Sequence, residues 1–139
     1  MGREDVSSRC NAIEECYEFL LAYAGQGLSG KENSQSSSQV RDFLNRAVEA
    51  LTGLADAYAR TVREENLQPA ERYVAFLAVL ARDALDSLAT IQLVLAQPTI
   101  SSQLIDNLNA SIHLRALLTD IFLIDEMLKP QQVAANPPL

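Results

Sequence analysis

Apolar residues recur every three or four positions along most of this chain, the spacing of one face of a helix. From about Asp5 to Ala24 the row is Val6, Cys10, Ile13, Tyr17, Leu20 and Ala24, widened by Phe19, Leu21 and Tyr23. Gly25 and Gly27 end it. Residues 25–38 are almost free of apolar side chains and read as a long mobile loop. A second row, Val40, Leu44, Ala47, Leu51, Leu54 and Tyr58, predicts a helix that opens at a Ser36/Gln39 capping box and fades near Glu64. A third helix is predicted from Pro69, a favoured first position, to Pro98. Its stripe is Tyr73, Leu77, Leu80, Ala84, Leu88, Ile91 and Leu95. Phe76, Val79, Leu85, Leu93 and Val94 are apolar residues that fall off that stripe.

The fourth predicted helix runs from Ser101 or Ser102 to Lys129, with Pro130 as its stop. It carries two apolar ladders. Leu104, Ile105, Leu108 and Ile112 point one way, and Phe122 and Leu123 continue that side. Leu114, Leu117, Ile121, Ile124 and Leu128 point nearly opposite. An outer bundle helix keeps one side polar. Either this helix is central in the bundle, or the second ladder meets a partner. The pattern shows no strand-like alternation and no internal repeat. It predicts an all-α fold: an antiparallel, up-down-up-down four-helix bundle over residues 1–129, with 130–139 as a disordered tail.

Composition agrees with a globular chain. Its 139 residues are 48% hydrophobic, enough for a core in a single domain. The net charge of −7 argues against a nucleic-acid or anionic-membrane partner, since both need clustered cations. No apolar run reaches membrane-span length, no secretory signal is visible, and Val6 replaces the Ser or Thr of a myristoylation motif. A cytoplasmic location follows as the expectation. Cys10 and Cys16, six residues apart, lie on different faces of one helix and cannot bridge.

Candidate chemistry is thin. Gly25 to Lys31 matches both G-x-G-x-x-G and G-x-x-x-x-G-K. A helix precedes it instead of a strand, Glu32 stands where a metal-facing hydroxyl belongs, and a polar loop follows. The match reads as a helix stop. His113 is the only histidine, which excludes paired-histidine metal sites and di-iron bundles. Glu14, Glu15 and Glu18 read as a solvated face, and Arg82 with Asp86 as a surface helix pair. No serine is paired with a recognisable base. No catalytic residue, cofactor or metal is therefore expected. The sequence reads as a non-enzymatic protein-interaction module of accessory, adaptor or chaperone-like type. It is expected to dimerise through Leu114, Leu117, Ile121, Ile124 and Leu128. The alternative from another class is a phosphotransfer signalling domain that uses His113. A bundle holding an apolar ligand between its helices is a third reading, for which Ala-rich packing leaves little room.

Overall fold

The computed structural model describes the backbone of residues 2–31 and 34–135, and the side chains of 2–31 and 35–129. The fold is all-helical. The described residues hold six helices rather than four: α1 (Gly2–Ala24), α2 (Ser34–Leu51), α3 (Leu54–Glu64), α4 (Ala70–Leu95), α5 (Ser102–Ala110) and α6 (His113–Ala135). The extra two arise from interruptions. The predicted second helix is divided at Thr52–Gly53, and the fourth at Ser111–Ile112. Helix α1 packs against α2, α3, α5 and α6, and α4 packs against α2, α3 and α6.

The first interruption has a clear physical cause. Gly53 takes φ +86, a conformation that L side chains rarely adopt. The Arg9 guanidinium of α1 reaches the carbonyls of Glu49, Ala50 and Thr52 at 3.2, 3.1 and 2.6 Å. These lie at the C-terminal end of α2, where carbonyls lack helical partners and the dipole favours a cation. The break leaves the apolar phase undisturbed. Val40, Leu44, Ala47 and Leu51 before it are buried, and so are Leu54, Tyr58 and Val62 after it. Arg41 treats the end of α4 in the same way, donating to Leu95 O at 3.0 Å and Gln97 O at 2.8 Å.

The second interruption changes the phase. Ile112 has φ +68, and the side chain of Ser111 turns back onto Leu108 O at 2.6 Å. In α5 the buried side chains are Ser102, Ile105 and Leu108. On a continuous helix, at about 100° per residue, these lie roughly half a turn from the Leu117–Ile121 side. The break turns both into one core. Leu114, Leu117, Ile121, Ile124 and Leu128 are 4%, 0%, 0%, 0% and 5% exposed within the single chain. The interface expected at these five residues is therefore corrected: their surface is spent inside the chain. The opposite side divides: Ile105 and Leu108 are buried as well, whereas Ile112, Phe122 and Leu123 face outward.

Residues 25–38 are not one loop, since α2 already begins at Ser34. Leu28 is tied down: its N–H donates to Ser102 Oγ at 2.9 Å, and its carbonyl accepts from Ser102 N at 2.8 Å. Buried Ser102 also donates to Tyr23 O at 2.6 Å, which joins the end of α1 to the start of α5. Pro130 does not stop the last helix, whose backbone continues to Ala135; a proline removes one hydrogen bond, which a helix can survive. Of the expected tail, residues 136–139 lie outside the described residues.

Ile112 is a β-branched residue in left-handed backbone, with 56% of its surface exposed. Left-handed backbone costs such a residue about 1–2 kcal/mol, while asparagine tolerates it. Ile112→Asn is thus expected to raise thermal stability by about 1 kcal/mol, measured by calorimetry.

Candidate functional site

Helix α4 is apolar on more than one side. Its inward stripe is Leu77, Leu80, Ala84, Ser87, Ile91 and Val94. The outward side carries Val74, Val79, Leu85 and Leu93, which are 63%, 50%, 60% and 67% exposed. Between them stand the exposed residues Ala75, Ala78 and Ala89. Long charged side chains usually fill such positions and lift the apolar surface away from water. Here Arg82 and Asp86 are the central pair, and neither makes an ion pair with a described residue. Each half-exposed Leu or Val forgoes about 1 kcal/mol of burial. Scattered apolar residues need no explanation, but a row along one helix face does.

Helix α6 adds to this region. Leu123 and Met127 are 47% and 45% exposed. Across the α4–α6 seam, Asp83 meets Asp120. Val79 lies one turn from Asp83, and Leu123 about one turn from Asp120, so apolar side chains flank the carboxylate pair. Burial, then the hydrogen bond and charge of Asp83, push the Asp120 carboxyl up to about 7. Its Oδ2 is buried and has no ordinary donor among the described residues.

On the other side of α6 a cleft of about 300 Å³ opens toward α1. Arg3, Cys10, Glu14, Asp125 and Lys129 are among its lining residues. Tyr58 OH donates to Asp125 Oδ1 at 2.7 Å, and the Cys10 thiol sits 3.2 Å from the same phenol oxygen. With the Tyr58 proton directed at Asp125, the thiol is the donor to Tyr58. Burial pushes Cys10 up to about 12 against the opposing hydrogen bond to Tyr58, and Cys16 also to about 12. Burial raises Tyr58 as well, followed by the charge of Cys10. Asp125 is raised by burial and pulled back by Tyr58, Lys129 and Arg3. A thiol held this strongly protonated is a poor nucleophile at neutral pH. The chain Cys10–Tyr58–Asp125 works as a buried polar tie between α1, α3 and α6.

The other residues singled out in the sequence are dispersed. His113 is the half-buried first residue of α6, just after the break. Glycines 27 and 30 take φ +70 and +90, and a Cβ on Gly30 would stand 2.9 Å from the Ile100 backbone. Their presence is explained by chain geometry, without a phosphate. No grouping of three or more His, Cys, Asp or Glu residues suited to a metal occurs among the described residues. No helix among them is long and apolar enough to cross a membrane. Comparison with known proteins yields no matching family model, no matching curated relative and no matching solved structure.

The outer face of α4 is visible in the sequence as the residues that fall off its stripe. The second ladder of the last helix is the stronger periodic signal, and it overshadows the exposed apolar side of α4.

Two measurements follow. Ile121→Asp places a charge where the wild-type side chain is 0% exposed. It should cost upward of about 3 kcal/mol and abolish the cooperative thermal transition, rather than release folded monomers. The second concerns Asp120. A carboxyl whose folded pKa lies above its unfolded value, near 4, stabilises the fold fully below that value. The contribution is lost as pH rises through about 7, where the folded group ionises. Thermal stability should therefore fall between pH 5 and pH 8 by more in the wild type than in Asp120→Asn, with the variant the more stable by a few degrees at pH 8.

Proposed function

We propose that this protein is a non-enzymatic interaction module whose partner-binding surface is the outward face of α4, extended by Leu123 and Met127 of α6. One observation carries the reading: a row of exposed leucine, valine and alanine side chains along α4, on a helix whose opposite side already fills the core. An apolar face of this length is costly in water and gains stability by being covered.

Other features support it. The two cysteines are buried and held protonated, so neither is poised for attack. The cleft between α1 and α6 mixes Arg3 and Lys129 with Glu14 and Asp125, and Asp125 Oδ1 already accepts from Tyr58. The scaffold is read as four antiparallel rods, with α2–α3 and α5–α6 each an interrupted rod. Such a frame presents a helix face rigidly, which limits the ordering cost of binding. A cytoplasmic setting suits the two free thiols.

The test replaces Leu85 and Leu93 together by Asp. Both are more than half exposed, so the folded chain should keep its helix content and its melting temperature to within a few degrees. Binding of any protein partner, including a second copy, should fall at least about tenfold, read by sedimentation or by capture with tagged protein. Leu21→Asp, at an exposed apolar position on α1, serves as the control and should bind normally. Equal binding by the α4 variant and the control would remove the interaction face from α4.

A further inference from the structure

We propose that the partner covering α4 is a second copy of this chain, packed antiparallel, α4 on α4, about a two-fold axis level with Ala84. This rests on the interaction-module reading and specifies its occupant.

The argument begins with charge. The protein carries 18 acidic and 11 basic residues, so most of its surface repels a copy of itself. The α4 face is different. Its exposed charged residues are Glu71, Arg72, Arg82 and Asp86, two of each sign. Arg82 and Asp86 form no ion pair with any described residue of their own chain. They stand two residues before and two residues after Ala84. A two-fold axis there brings Arg82 of each copy level with Asp86 of the other, and does so twice. This is the self-complementarity that a two-fold interface demands.

Shape selects the same register. With the axis at Ala84, Leu93 comes level with Ala75 of the other copy, and Val79 with Ala89. Large side chains oppose small ones on both sides of the axis, as close helix packing requires. Moving the axis to Arg82 stacks two arginines, and moving it to Asp86 stacks two aspartates. A parallel pairing in register does both. Each of these alternatives carries a like-charge penalty. Among them, the antiparallel register at Ala84 alone satisfies charge and volume together.

The α6 ladder that the sequence offered for a dimer is buried, so pairing through it would need the core opened. The α4 face needs no rearrangement.

Two variants and their mixture test the register. Arg82→Glu sets a glutamate against the other copy's aspartate at both contacts. Asp86→Arg sets two arginines against each other at both contacts. Each variant alone should dimerise at least about tenfold more weakly than the wild type in sedimentation equilibrium. Mixed in equal amounts they should form a heterodimer. At the register proposed here, Arg82→Glu contributes two acidic side chains and Asp86→Arg two basic ones, so both contacts join opposite charges. The double variant Arg82→Glu, Asp86→Arg should dimerise like the wild type. Far-UV circular dichroism checks that all chains stay folded; should one single variant unfold, the other one, read against the double variant, still decides. A wild type monomeric at about 100 μM overturns the proposal. So does a dimer indifferent to both single reversals, or a pair of monomeric variants that fail to associate on mixing. A monomeric wild type that still captures another protein through Leu85 and Leu93 overturns only the second copy and leaves the interaction module standing.

Discussion

A half-turn of phase, introduced at Ser111–Ile112, governs how this chain can pack. Two apolar ladders on opposite sides of one continuous helix cannot share a core. Broken at a left-handed residue, the segment becomes two helices whose inward faces agree. The strain at Ile112 is offset by the burial of Leu114, Leu117, Ile121, Ile124 and Leu128, several of which are fully enclosed. Those five residues seat α6 against α4 and α1. Once they are inside, Phe122, Leu123 and Met127 must be outside, and the exposed region beside α4 is fixed.

Polar ties hold the helix ends while apolar burial holds their middles. Arg9 and Arg41 each reach from one helix to the unsatisfied carbonyls at the end of another. Ser102 gathers the end of α1, the loop at Leu28 and the start of α5. Tyr58 joins Cys10 to Asp125 across three helices. The ties of Ser102 to Tyr23 O and of Cys10 to Tyr58 are buried, and the loss of either would cost more than an ordinary hydrogen bond contributes. The same network removes Cys10 from chemistry. Its proton is committed to a phenol whose own proton is committed to a carboxylate.

One apolar surface is left over. A helix 26 residues long, α4 closes the core with one side and offers alanines, valines and leucines with the other. The mixture of small and large side chains, with one cation and one anion at its middle, resembles half of a helix pair. The Asp83–Asp120 pair sits at the edge of this region, so the firmness of the α4–α6 seam is linked to pH, with the sign that rising pH loosens it.

Much is legible in the sequence because local periodicity carries it. The apolar rows of α1 and α4 appear where the spacing puts them, and Pro69 marks the entry to α4. The row through Val40 and Tyr58 is inward along its whole length, since the break at Gly53 keeps its phase. That break is invisible in the pattern for the same reason, and Arg9, far earlier in the chain, is part of its cause. The break at Ile112 leaves a trace as two opposed ladders, but periodicity alone does not tell a partner from a turn in the chain. Which ladder is inside depends on backbone at a single isoleucine that local propensity would never place in left-handed geometry. Helix and apolar rows can be read directly from the chain, because they follow from the spacing of near neighbours. The apolar surface left exposed on α4 cannot, because it is what is left after packing in three dimensions has buried the other apolar rows.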